Sequence, residues 1–184
     1  SASWFSSPKA GWGSSEQLQG KELSTNNLLD LEAAISTIRE FEYGIKKNDI
    51  AHKKAAVIIK HTNPCGVGID QDLNIAFKQA LAGDPISAFG GIVALNCLVD
   101  EATAKELSTL FLECIVAPDY DEVAKKILSQ KKNLRLLKIT PKDISSSKRD
   151  YIRSILGGVL VQELDDKKVN PSEWEVPTKK KIST

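Results

Sequence analysis

Short apolar runs alternate along this chain with stretches in which apolar residues return every three or four positions. The clearest run is Ala55-Ala56-Val57-Ile58-Ile59, which predicts a buried strand over 55–60. Shorter runs at Ile92–Leu95, Cys114–Ala117, Leu134–Ile139 and Gly158–Val161 predict further strands. Between them lie helical spacings. Leu28, Leu31, Ile35 and Ile38 predict a helix running to about Phe41. Asn26 or Asn27 can cap it, and Asp30 and Glu32 suit its positive end. Leu73, Ala76, Phe77 and Ala80 predict a helix over Asp72–Leu81, stopped by the Gly83-Asp84-Pro85 turn. Two more helices are expected. Ala102–Leu112 would have Ala104, Leu107 and Phe111 on one side, and Asp119–Ser129 would have Val123, Ile127 and Leu128 inward. Strands alternating with helices predict right-handed βαβ crossovers and a layered α/β sheet. Residues 1–24 are Gly/Ser-rich with Trp4, Phe5 and Trp12, and predict an irregular arm. Residues 25–165 form the expected α/β body, and 166–184 a polar tail opening a linker.

Composition narrows the class. The chain has 184 residues, 41% of them hydrophobic and 27% charged, as expected of a soluble globular domain with a real core. Lys+Arg 25 against Asp+Glu 24 gives no excess charge to suggest a nucleic-acid or anionic-membrane surface. Lys179-Lys180-Lys181 is a local basic run, read as a solvated tail. Cys65, Cys97 and Cys114 are far apart, which predicts free thiols in a reducing compartment. No apolar run approaches the ~20 residues that span a bilayer, and no signal peptide is visible. A cytoplasmic protein is expected.

The candidate chemistry lies at Lys60-His61-Thr62-Asn63-Pro64-Cys65-Gly66, at the end of the 55–60 strand. In open α/β sheets, ligands bind beyond the carboxyl ends of strands. A Lys-His pair there can hold an anion or a carbonyl oxygen and move a proton near neutral pH. A polar strand exit without chemistry is the alternative. Consecutive residues of a regular strand face opposite ways, so an Asn63-Pro64 turn must bend the chain if both are to serve one site. Gly66 and Gly68 read as a loop that a ligand could approach, or as a simple turn.

A second segment, Gly83-Asp84-Pro85-Ile86-Ser87-Ala88-Phe89-Gly90-Gly91-Ile92-Val93-Ala94-Leu95-Asn96, shifts the balance toward chemistry at Lys60-His61. Three other pieces join it: Gly20–Asn27, Ile115-Val116-Ala117-Pro118 and Gly157–Gln162. In this order and spacing, the five segments resemble the aminoimidazole-carboxamide ribonucleotide (AICAR) transformylases. These are the formyl-transfer half of a bifunctional purine-biosynthesis enzyme that also carries IMP cyclohydrolase. The resemblance implies a layered α-β-α sandwich like that of the cytidine deaminases. It implies 10-formyltetrahydrofolate as co-substrate and AICAR as formyl acceptor, in a homodimer of the full-length protein. Lys60 and His61 match the family's catalytic pair. Asn27, Asn63, Phe89, Gly90 and Glu113 fall at its AICAR contacts, Glu113 through the ribose hydroxyls. Thr25 stands where the family commonly has Tyr. No folate-binding residue is assigned.

Formyl transfer to an aromatic amine needs a base, a cation for the developing oxyanion, and tight orientation. His61 suits the first role and Lys60 the second. Phe89 reads equally as a pocket wall or as core, and Glu113 also as a solvated strand end. The resemblance places an Arg-Tyr-rich motif before this start and a second half beyond this end. The chain is therefore expected to be the first part of the transformylase region, catalytically silent alone. Two rival classes remain. One is a non-catalytic assembly module. The other is a zinc deaminase, which would need Glu where Asn63 follows His61, and a second Cys after Pro64-Cys65. No metal is expected.

Overall fold

The structure is a computed structural model that describes residues 2–46, 49–145, 150–164, 170, 173–175 and 177. Its contacts divide the chain into two units, Ser1–Ser147 and Lys148–Thr184. In chain order the first unit contains β1 (Glu16–Gln19), α1 (Thr25–Ile38), β2 (Lys54–Lys60), β3 (Asn63–Asp70), α2 (Leu73–Gly83), β4 (Gly91–Leu95), α3 (Glu101–Leu107), β5 (Leu112–Ala117), α4 (Glu122–Leu128), β6 (Arg135–Lys138) and α5 (Pro141–Ser145). The second contains the antiparallel hairpin β7 (Asp150–Ile155) and β8 (Gly158–Glu163). The Gly158–Val161 strand thus pairs with β7 and has no place in the six-stranded sheet. The basic run at 179–181 lies outside the described residues.

The six strands of the first unit lie in the order β1-β6-β5-β4-β2-β3. β4, β5 and β6 are parallel, joined through α3 and α4, while β1, β2 and β3 pair antiparallel. The continuous apolar run of β2 follows from burial on both faces. Ala55, Val57 and Ile59 enter one core cluster with Leu31, Ala34, Ile35 and Ile38 of α1. Ala56 and Ile58 enter the other, with Phe77 of α2, Leu107 of α3 and Leu128 of α4.

Several elements differ from the sequence expectation, each for a physical reason. The segment expected as an irregular arm carries β1, and Trp12 Nε1 donates to Glu32 Oε2 of α1 at 2.7 Å. Ser24, not Asn26 or Asn27, caps α1: its hydroxyl accepts from Asn27 N, and Asn27 Oδ1 accepts from Ser24 N, a reciprocal capping box. Phe111 lies beyond the end of α3 and is 47% exposed, and Val123, expected inward, is 47% exposed. The residues from Asn63 onward, read as a turn and loop, form the edge strand β3. Pro64 is tolerated there because edge strands and bulges need not donate. Gly66 and Gly68 are required by α2, which lies directly on β3: a Cβ on Gly66 would run into the Ala80 carbonyl, and one on Gly68 into that of Ala76.

Asn96 organises the opposite end of β2. Fully buried, it accepts from Ala55 N through Oδ1 at 2.8 Å and donates through Nδ2 to Phe41 O and Lys53 O. Asn96→Ala orphans the buried Ala55 N–H and removes the donor to two part-buried carbonyls, and should cost about 1–3 kcal/mol. Gly68→Ala should cost about 1–3 kcal/mol by overpacking against α2. Equilibrium urea unfolding checks both, and stabilities equal to the parent chain would contradict this packing.

Candidate functional site

Lys60 and Asn63 are the last paired residues of β2 and β3, so His61 and Thr62 form a two-residue turn. Both have positive φ, 51° and 63°. Two-residue hairpins favour such turns because their twist matches the strands, and they favour Asn-Gly in them. A β-branched residue at positive φ is strained. Thr62 is held there because its N–H donates to Asp30 Oδ1 of α1 at 2.7 Å, and its hydroxyl donates to His61 O. Asn63 Nδ2 also donates to His61 O, at 2.9 Å. The bend that takes His61 out of strand alternation is therefore the His61-Thr62 turn. Asn63-Pro64, expected to supply it, opens β3. The His61 residue is exposed at the tip.

Lys60 points back to the start of β4. Its ammonium donates to Phe89 O at 3.1 Å and to Gly90 O at 2.9 Å. Gly90 has φ +70°, and a Cβ there would lie 2.9 Å from Lys60 Nζ and 3.4 Å from the Phe111 ring. Gly90 N donates to Phe111 O at 2.8 Å, closing the strap. The Phe89 and Phe111 rings meet at 5.1 Å between centroids, tilted by 39°. Phe89 is 62% exposed, so the core reading of this residue is overturned.

Glu113 is the extra residue of a bulge, since consecutive Gly91 and Ile92 pair with Leu112 and Cys114. Bulges re-aim a side chain. Glu113 Oε2 accepts from Arg135 Nη1 at 3.0 Å, and Arg135 Nε donates to Glu22 O. Asn27 is buried in the capping box, with its Oδ1 committed to Ser24 N.

β2 runs antiparallel to β4, so its carboxyl end lies beside the amino ends of β4 and β5. The carboxyl-end rule that pointed to Lys60 therefore does not describe this site. Lys60, Phe89, Gly90, Phe111, Glu113 and Arg135 all fall along the amino ends of the parallel strands. Asp30, Phe111 and Arg135 were not singled out from sequence as site residues. Asp30 was read for its helix position alone, and only the parallel register brings Arg135 to Glu113.

Burial pushes the Cys114 thiol up to about 12 and raises that of Cys65. His52, away from the site, is exposed between Asp49 and Glu42 carboxylates. Its hydrogen bond to Asp49 raises its pKa. Among the described residues, no three His, Cys, Asp or Glu side chains gather as metal ligands, and no helix is long and apolar enough to cross a membrane.

A family model described as AICARFT/IMPCHase bienzyme matches residues 1–184. The chain belongs to this family. It is 65% identical over 182 residues to the bifunctional purine biosynthesis protein PurH of Prochlorococcus marinus (strain MIT 9211), covering 99% of this chain and 35% of that protein. To the PurH of Synechococcus sp. (strain CC9311) it is 58% identical over 183 residues, covering 100% of this chain and 34% of that protein. The chain thus spans about a third of the length of these curated relatives. Among solved structures, Acinetobacter baumannii RibD (form 2) aligns with TM-score 0.42 at 17% identity, over 61% of this chain and 36% of that one. That similarity is too slight to carry an argument.

The turn can be tested without any activity. Thr62→Gly relieves the positive-φ strain and should raise stability by about 1 kcal/mol. Asp30→Ala removes the acceptor for Thr62 N and should lower it by about 0.5–1.5 kcal/mol. Urea unfolding of the two variants reads both signs; a destabilised Thr62→Gly would contradict a strained turn.

Proposed function

We propose that this chain supplies the catalytic Lys-His pair of a formyltransferase. The enzyme moves a formyl group from 10-formyltetrahydrofolate to the 5-amino group of AICAR, giving formyl-AICAR in de novo IMP biosynthesis. One observation carries the reading: Lys60 is fixed on two backbone carbonyls immediately before His61, which a left-handed turn presents to solvent. An ammonium has three donors. Two are spent on Phe89 O and Gly90 O, which leaves one for the oxygen on which negative charge develops. His61 takes the proton that the amine loses as the new C–N bond forms; the formyl–N10 bond then breaks, and tetrahydrofolate leaves with a proton on N10. Gly90 admits Lys60 to this position because it has no Cβ. Glu113, with one oxygen held by Arg135, is suited to accept hydrogen bonds from ribose hydroxyls through the other. Asn27 and Asn63 complete the substrate contacts, Asn27 through the amide nitrogen that the capping box does not use.

The two apolar clusters on opposite sides of the sheet support a layered α-β-α sandwich of the cytidine-deaminase kind. The exposure of His61 and Phe89 supports a site completed by further polypeptide; the family reading adds that the enzyme is a cytoplasmic homodimer. This chain alone is then catalytically silent, because a reaction that orients two substrates loses most of its advantage when half the positioning shell is missing.

The test uses a polypeptide that carries this sequence at the full length of its relatives. His61→Ala should lower formyl transfer by ~10²–10⁴ while AICAR affinity stays within a few-fold. Lys60→Ala should also lower turnover. Rates within a few-fold of the parent for both variants would remove the pair from the mechanism, and a parent without formyl transfer would reject the reading as a whole.

A further inference from the structure

Arg135 opens β6 and ties together two segments that lie far apart in sequence. Its Nε donates to Glu22 O at 3.1 Å, in the Gly20–Asn27 segment, and its Nη1 donates to Glu113 Oε2 at 3.0 Å, on β5. The Arg135 side chain is 14% exposed and that of Glu113 is 40% exposed, so the cation is the buried partner and the carboxylate the presented one. Glu113 Oε1 has no partner among the described residues.

The Gly20–Asn27 segment is built around this arginine. Gly20 has φ +94°, and a Cβ there would lie 2.7 Å from Leu134 O and 2.8 Å from both Cα and Cγ of Arg135. Only glycine lets the chain pass so close to the root of the side chain. Gln17 Nε2 curls the following residues by donating to Gln19 O, Gly20 O and Lys21 O. Gln19 Nε2 donates to Leu128 O, Lys131 O and Leu134 O at 3.1, 3.2 and 3.0 Å, which fixes the connection from α4 into β6. Shortly after Glu22 comes Ser24, whose capping box holds Asn27. Asn27 and Glu113 are both proposed AICAR contacts. Arg135 bonds to the side chain of one and to the segment that carries the other.

We infer that Arg135 is a positioning residue for ribose recognition: it holds the Glu113 carboxylate in one orientation and anchors the segment leading to Asn27. This rests on the reading of Glu113 as the acceptor for the ribose hydroxyls. A free glutamate side chain must give up rotamer freedom to meet a sugar hydroxyl, and a guanidinium bond makes that loss before the ligand arrives. Arginine suits the task because its Nε and Nη donors lie in one rigid plane, so one side chain can serve two acceptors at once. Without it, the site should lose its preference for ribose over deoxyribose while the chemistry at Lys60 and His61 continues.

The experiment is calorimetric titration of the full-length protein with AICAR and with its 2′-deoxy and 3′-deoxy analogues, in the parent, E113A, R135Q, R135K and R135Q/E113A. The rate of formyl transfer at saturating AICAR is read separately. The parent should bind AICAR ~10-fold or more tightly than the analogue lacking the hydroxyl that Glu113 accepts, and E113A should abolish that preference. R135Q should weaken AICAR binding by ~10-fold, weaken that analogue by less than about threefold, and leave kcat within about threefold. R135Q/E113A should be no worse than E113A, because both changes remove one interaction. R135K keeps the charge and loses the fork, so its preference should fall between those of the parent and E113A; if R135Q does not fold, R135K decides. A merely structural role would weaken all three ligands by one factor and leave the preference intact. That result, additive losses in the double variant, R135K with the parent's preference, or a parent without a preference for ribose would overturn the inference. A parent that shows the preference and loses it in R135Q, yet transfers no formyl group, would reject the proposed reaction and keep the positioning role.

Discussion

His61 and Thr62 have to reverse the chain between two paired strands in two residues, and both do so at positive φ. Histidine tolerates that region, but for a β-branched residue such as Thr62 the placement costs on the order of 1–3 kcal/mol. Asp30 compensates from α1 by accepting from Thr62 N. The turn is thus a three-way junction among β2, β3 and the helix that covers them. It fixes where His61 leaves the sheet, and through the register of β2 it fixes where Lys60 reaches the Gly90 carbonyl. The strained conformation sits at the one place where the proposed chemistry needs two neighbouring side chains outside strand alternation.

The packing around this junction explains the small residues nearby. β3 carries Gly66 and Gly68 so that the backbone of α2 can lie against it, and Gly90 lacks a Cβ where the Lys60 ammonium passes. These glycines serve approach by protein atoms. The same economy of space leaves the aromatic pair Phe89–Phe111 outside, half exposed.

Much of the fold was legible because burial wrote itself into the pattern. β2, β4, β5 and β6 are covered on both faces and read as apolar runs. α1 and α2 have one covered face and read as helical spacing. What escaped was less buried or set by contacts distant in sequence. β1 holds a single apolar residue, Leu18, and β3 is broken by Pro64 and two glycines whose purpose is visible only once α2 is in place. Phe111 and Val123 followed the helical spacing, yet the structure leaves both about half exposed. At the site, Lys60 and His61 were proposed from their place after an apolar run and Gly90 through family resemblance, but the sequence could not show the reason they would meet. That reason lies in two carbonyl contacts and a left-handed turn. The Glu113–Arg135 pair depends on a bulge and a parallel register that leave no local mark.

The most direct measurement is a crystal structure of the full-length protein with AICAR bound. The account predicts the 5-amino nitrogen within hydrogen-bond reach of the His61 ring, about 2.6–3.2 Å, or joined to it by one water. It also predicts the Lys60 ammonium still on the Phe89 and Gly90 carbonyls, and the ribose hydroxyls at Glu113. AICAR bound away from the amino ends of β4 and β5, or with its amine beyond reach of His61 and Lys60 swung off Gly90, would contradict it.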